Sequence, residues 1–87
     1  MSERPVLTLY GRVYCHLCGE MELALQPLQA EFGFELECVD VDEDPALEER
    51  LGDLVPILML GDEELCHYHL DTPAVRARLR ALSGGIL

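Results

Sequence analysis

The sequence predicts an α/β domain whose elements run βαβαββα, with a four-stranded mixed sheet and helices on both of its faces. Three observations carry the prediction. An apolar run, Val6-Leu7-Thr8-Leu9, hands over at residues 10–18 to a segment of helical periodicity. Residues 34–41 then alternate between apolar and acidic with the period of two that a half-buried strand shows. Finally, Asp44-Pro45 and Asp71-Thr72-Pro73 each set a capping aspartate beside a proline suited to the first turn of a helix.

Taken in order, residues 6–10 are apolar enough for a central strand covered on both faces. From Cys15 onward, Leu17, Met21, Ala24, Leu25, Leu28 and Phe32 recur at helical spacing, and Gly33 supplies a stop. Pro27 falls inside this helix, removes the hydrogen bond to the Leu23 carbonyl and should kink it. In the second strand Phe34, Leu36 and Cys38 share one face, so Cys38 reads as a small core residue. A strand–helix–strand passage of this kind makes the two strands parallel, with a right-handed crossover.

Asp44-Pro45 opens a short helix that ends near Gly52. Residues 56–60 form a third strand, Gly61-Asp62-Glu63 a turn, and residues 64–68 a fourth strand paired with the third as a hairpin. The last helix places Val75, Leu79 and Leu82 on its buried stripe and Arg76, Arg78 and Arg80 on a solvated face. Residues 84–87 are a tail.

The chain has 87 residues, which suits a single domain over 1–87 with its core at about 6–82. Net charge is −11, from 17 acids against six bases, all of them arginine. Such a surface repels phosphate backbones and anionic lipid, so neither nucleic acid nor membrane is expected as a partner, whereas basic protein surfaces are steered towards it. The first residues do not read as a signal peptide, because the apolar stretch after them is short and no cleavage pattern follows. A cytoplasmic monomer is the expectation. Four cysteines in that setting point to redox or metal chemistry rather than a structural disulfide framework.

The chemistry centres on Cys15-His16-Leu17-Cys18 at the first strand-to-helix junction. A sulfur at a helix N-terminus lies among unpaired N–H groups and at the positive end of the macrodipole, both of which favour its thiolate. The second sulfur, three residues on, is within disulfide reach of the first. That pattern fits dithiol exchange, with Cys15 as nucleophile and Cys18 closing the disulfide. His16, between the cysteines, is a candidate modulator of the thiolate, as are Arg12 and Tyr14 just before them.

Together, Leu9-Tyr10-Gly11-Arg12, the Cys15–Cys18 pair, Val39-Asp40-Val41-Asp42, Val55-Pro56 and the Gly61 turn resemble the glutaredoxin branch of the thioredoxin fold. The resemblance spans residues 6–82 and implies a thiol–disulfide oxidoreductase acting on a protein or small-molecule disulfide. It also implies that Val55-Pro56 is a cis peptide whose backbone docks the incoming disulfide beside Cys15, and that Arg12 lies near a glutathione carboxylate. Two departures weigh against glutathione. Asp53 stands where many relatives carry a basic or amide residue, and Cys66-His67 replaces a glycine pair after the fourth strand. No resident cofactor is therefore expected: the resemblance leaves glutathione as the one candidate, disfavoured by these departures, and an iron–sulfur cluster, which such glutaredoxins hold with glutathione as a ligand, is disfavoured with it.

Competing readings attach to the remaining residues. Cys66 is a candidate third thiol, or a plain strand residue. Cys15, Cys18, Cys66 and His69 (or His67) would make a four-ligand sulfur and nitrogen zinc set, the main alternative to redox chemistry. A thioredoxin-fold interaction module with incidental cysteines is a third reading. The acidic run from Asp40 to Asp44 resembles a calcium loop but has Pro45 at the sixth position, where glycine is required, and Leu51 at the twelfth, where glutamate is required. It is read as a solvated turn and helix cap.

Overall fold

The computed structural model describes residues 4–84. Its elements are strand β1 (Val6–Gly11), helix α1 (His16–Phe32), β2 (Glu35–Asp40), a 3-10 turn (Val41–Glu43), α2 (Pro45–Leu51), β3 (Ile57–Leu60), β4 (Glu63–His67) and α3 (Thr72–Gly84). The predicted βαβαββα order is the observed one, with the 3-10 turn added between β2 and α2. The sheet order is β2-β1-β3-β4, with β1 parallel to β2 and antiparallel to β3. The hairpin of β3 and β4 carries a register shift between Leu58 and Met59.

The caps follow the local chemistry. Helix α1 ends at Gly33, whose φ of 76° lies in the left-handed region and whose N–H donates to the Gln29 carbonyl at 2.8 Å. The Asp40 carboxylate accepts the Asp42 N–H, and the Asp44 carboxylate accepts the Ala46 N–H, both at 2.9 Å. The acidic run is thus two successive caps. Helix α1 continues through Pro27 without interruption from His16 to Phe32.

One face of the sheet holds the main core. Leu7, Leu9 and Leu58 pack against Met21, Leu25 and Leu28 of α1 and Val75 and Leu79 of α3, with Phe34 closing one end. Each is nearly or fully buried, and burying one such side chain stabilises by about 1.5–3 kcal/mol. Ile57 and Val41 are buried outside this cluster. Ile57 neighbours Leu58 along the strand and so faces the opposite side, the side of the 3-10 turn and α2.

Several expectations need correcting. Strand β1 is central but not sealed on both faces: Thr8 and Tyr10 are half-buried and Val6 is exposed. The reason is that α2 is a seven-residue helix and covers little of the second face. Cys38 is exposed rather than core, because β2 is an edge strand and Cys38 looks out past α1 towards Glu22. Leu82 is 43 % exposed, since the last turns of α3 extend past the cluster that buries Val75 and Leu79.

The arginines of α3 are not simply solvated. Arg76 Nη1 reaches both oxygens of Glu31 at 2.7 and 2.6 Å and its guanidinium stacks 5.7 Å from the Phe32 ring centroid. Arg78 Nε meets both oxygens of Glu63, at 2.9 and 3.1 Å. They tie α3 to α1 and to β4. Helix α3 runs on to Gly84, so of the expected tail only residues 85–87 remain, and these lie outside the described residues, as do residues 1–3.

Candidate active site

Strand β1 ends at Gly11, and a loop through Arg12, Val13 and Tyr14 leads into α1. Tyr14 has a φ of 62°, uncommon for a tyrosine, and its side chain is fully exposed. This turn delivers Cys15 in an extended conformation as the N-cap of α1. Cys15 Sγ accepts the Cys18 N–H at 3.1 Å, which is what a capping serine oxygen would do. The two sulfurs are joined in a disulfide, with Cα atoms 5.1 Å apart. The nucleophile expected from sequence therefore sits on a backbone donor and at the positive end of a 17-residue helix.

Gly11 brings Cys18 down onto β1. A Cβ built on Gly11 would lie 3.0 Å from Cys18 Sγ and 3.3 Å from Cys18 Cβ. Any larger residue there would push the second cysteine off the strand. Behind it opens a cavity of about 240 Å³, with Leu9, Val13 and Val39 as apolar walls. Cys18, Arg12, Glu22, Cys38 and Asp40 also face it.

Arg12 is engaged within the chain. Its Nη2 donates to Asp42 Oδ1 at 3.0 Å and to Glu48 Oε2 at 3.3 Å. Gly52 leaves room for this, since a Cβ there would come within 2.8 Å of Glu48 Oε2 and 2.9 Å of Arg12 Nη2. His16 points to solvent, 88 % exposed, with its Nε2 2.7 Å from Glu20 Oε2. It lines an outer cavity together with Tyr14 and both cysteines.

The Val55–Pro56 bond is cis, as the resemblance implied. Ile57 is in register with Tyr10, so Pro56 lies at the end of the sheet where β1 stops and the cysteine loop begins. Tyr68, with a φ of 65°, holds this segment twice: its N–H donates to the Pro56 carbonyl at 2.8 Å and its hydroxyl to the Asp53 carbonyl at 2.7 Å.

The other cysteines and histidines are placed apart from the pair. Cys66 is half-buried against the main core, in register with Leu58, and lines neither cavity that holds Cys18. Burial pushes its thiol pKa up, and the charges of Asp71 and Glu64 add to this, with a backbone hydrogen bond from Asp71 opposing. Burial and Glu22, by its charge and a 3.8 Å contact, likewise raise the Cys38 pKa. Both are thus kept as thiols. His67 Nδ1 lies 2.6 Å from Glu64 Oε2, and its ring meets Tyr68 edge to face. His69 lines a different hollow, with Leu17 and Tyr68.

The zinc set is therefore corrected. Among the described residues no three histidine, cysteine, aspartate or glutamate side chains are grouped to hold a metal ion. Cys66 and the two histidines sit on β4 and the segment after it, where they pack or pair locally instead of turning towards Cys15 and Cys18. The Asp42, Glu48 and Gly52 cradle around Arg12 escaped sequence reasoning. The two carboxylates lie 30 and 36 residues from Arg12, and nothing local distinguishes them from the other acids of this chain.

A mixed sheet flanked by helices, with a disulfide at the first helix N-terminus and a cis proline at the same sheet end, defines a thioredoxin-fold protein with a bridged cysteine pair at the start of its first helix. Comparison with known proteins narrows the class. The model described as "Glutaredoxin-like domain (DUF836)" matches residues 6–80, and the chain belongs to that family. It resembles the solution structure of protein Ne2328 from Nitrosomonas europaea at 41 % identity, covering 90 % of this chain and 94 % of that one, with a TM-score of 0.79. An uncharacterised protein of Mycobacterium tuberculosis is 30 % identical over 79 residues, 85 % of this chain and 81 % of that protein. The glutaredoxin-like protein NrdH-redoxin from Escherichia coli is 25 % identical, covers 82 % of this chain and 92 % of its own, and superposes with a TM-score of 0.58. Among the described residues no helix is long and apolar enough to cross a membrane.

Proposed function

We propose that this protein is a cytoplasmic thiol–disulfide oxidoreductase that reduces disulfides of protein partners through Cys15 and Cys18. The observation that carries the reading is the position of Cys15 Sγ, a helix N-cap accepting the Cys18 N–H while bridged to Cys18. In the reduced protein the same N–H and the helix end stabilise a Cys15 thiolate. The thiolate attacks one sulfur of the partner disulfide, forms a mixed disulfide and expels the other sulfur as thiolate. Cys18, deprotonated, then attacks Cys15 Sγ, closes the bridge seen here and releases the second partner sulfur. Two electrons pass from the dithiol to the partner, whose two thiolates take up protons.

Val55 and Pro56 serve as the docking edge for the partner backbone. The resemblance to NrdH-redoxin, a protein described as having a thioredoxin-like activity profile, supports protein disulfides over glutathione. So do the reversed charge at Asp53 and the engagement of Arg12 by two carboxylates. The net charge of −11 favours partners that are basic around their disulfide. The protein acts as a monomer.

Reduction of a disulfide-linked model peptide, followed with the reduced protein in stoichiometric amounts, tests this. The expected result is one peptide disulfide reduced per protein, with a Cys15–Cys18 bridge recovered by peptide mapping. A Cys15→Ser protein that reduces the peptide equally fast would end the proposal.

A further inference from the structure

Among the described residues one buried side-chain nitrogen or oxygen has no hydrogen-bond partner: Nε of Arg12. A buried donor left unpaired carries its full desolvation cost, so an unsatisfied group in a folded protein calls for an explanation. Asp42 and Glu48 both take Nη2, which ties down that end of the guanidinium and leaves Nε without a partner. Arg12 lines two cavities at the active site, and Cys18 lines both of them, whereas Cys15 lines only one. Cys18 Sγ is itself seated on Gly11, the residue preceding Arg12. The two sulfurs also differ in what they already have. Cys15 Sγ receives the Cys18 N–H; among the described residues no hydrogen-bond donor is seen on Cys18 Sγ in the bridged state.

Resting on the oxidoreductase reading above, we propose that Arg12 is the donor that activates Cys18, through its Nε–H, with Asp42 and Glu48 as the positioning residues that aim it. The bridged state has no charge on Cys18 and leaves Nε idle. When the bridge is reduced, the Cys18 thiol loses its proton to solvent and the thiolate takes the Nε–H as a charge-assisted hydrogen bond. That thiolate attacks Cys15 Sγ in the mixed disulfide, the Cys15–Cys18 bond forms and the partner leaves as thiolate. Each cysteine of the pair thus has its own donor: the helix N–H for the attacking sulfur, and the arginine for the resolving one.

The groups facing Cys18 set the balance. Glu22 of α1 and Asp40 of β2 oppose the thiolate by charge, Cys38 stays a neutral thiol, and Arg12 is the permanent cation among them. His16 and Tyr14 line the second cavity with Cys18, His16 being turned to solvent and paired with Glu20. Without Arg12 the carboxylates lose the cation that offsets them, so Cys18 would react more slowly at neutral pH.

The test uses full-length Cys15→Ser protein, in which the introduced hydroxyl preserves the cap and Cys18 cannot be oxidised by its neighbour. Iodoacetamide alkylation of Cys18 is followed from pH 6 to 10 by mass-resolved peptide mapping, which separates it from Cys38 and Cys66. Arg12→Gln and Arg12→Lys are introduced in turn. Lysine retains a cation for Asp42 and Glu48 but has no second donor edge, so a purely structural role would be rescued by it. The expected result is a loss of about tenfold in Cys18 alkylation rate at pH 7 in Arg12→Lys, the size of one charge-assisted hydrogen bond, and a larger loss in Arg12→Gln, which also removes the cation, with the midpoint of the pH profile moved upward in both. A wild-type profile in Arg12→Lys would overturn the proposal, even if Arg12→Gln failed to fold. The measurement requires no turnover, so a protein inactive towards disulfides could still show the shift, and an active one could lack it.

Discussion

Gly52 offers a test of the cradle around Arg12 because the space there is quantifiable. In Gly52→Ala the new methyl would lie 2.5 Å from the Glu48 carbonyl oxygen, 2.8 Å from Glu48 Oε2 and 2.9 Å from Arg12 Nη2. The backbone itself would accept alanine, since φ is −57° and ψ −32°, ordinary right-handed values. Alanine also restricts the unfolded chain, which stabilises by about 0.4–1 kcal/mol. Against this stands the overlap. One contact is with backbone and two are with the ends of a salt bridge, and forcing an extra methyl into a filled site costs about 1–3 kcal/mol. The overlap wins by about 1–2 kcal/mol. For a domain of this size each kilocalorie moves the melting point by about 4–8 °C, so the transition should fall by roughly 5–15 °C. Thermal unfolding followed by circular dichroism reads this directly. A melting point equal to or above that of the wild type would show that the Arg12–Glu48 geometry is not close-packed as described.

Other substitutions probe different parts of the account. Leu25→Ala removes a fully buried side chain between α1 and the sheet and should cost about 2–5 kcal/mol in urea titration. Asp44→Ala deletes the α2 cap and should cost about 1 kcal/mol, while Asp44→Asn should restore most of it. Arg76→Ala removes a half-exposed ion pair and a ring contact, so its urea midpoint should move by no more than about 1 kcal/mol; a larger loss would mean that α3 depends on Glu31 more than surface pairs normally allow. Alkylation of Cys38 and Cys66 should rise with pH along a curve displaced above that of an ordinary thiol, since burial and nearby carboxylates raise both pKa values and only the thiolate reacts. A half-maximal rate at or below the ordinary thiol value would contradict that placement.

Much of this arrangement is legible in the chain because the signals are local. The N-cap cysteine, the Gly33 stop and the Asp44-Pro45 start each depend on residues within one helical turn, and all three stand where the sequence puts them. Strand pairing followed from the βαβ rule and the Gly61 turn. Depth of burial was less legible. Cys38 alternates correctly and does share a face with Leu36, but alternation says nothing about an edge strand or the reach of the covering helix. Leu82 failed for the same reason at the end of α3. Long-range polar pairing was not legible at all. With 17 acidic residues in 87, no pattern singles out Asp42 and Glu48 as the two that hold Arg12, or Glu31 as the one that holds Arg76. Tyr68 likewise gave no sign that it would clasp the cis peptide from both its amide and its hydroxyl.

The central claim is that Cys15 attacks and Cys18 resolves, and covalent trapping tests it most directly. Reduced Cys18→Ser protein mixed with a disulfide-linked basic peptide should accumulate a mixed disulfide, seen as one added peptide mass and mapped to Cys15. Cys15→Ser protein should accumulate much less on the same timescale. Faster trapping at Cys18, Cys38 or Cys66 than at Cys15, or equal trapping by the two variants, would contradict the assignment.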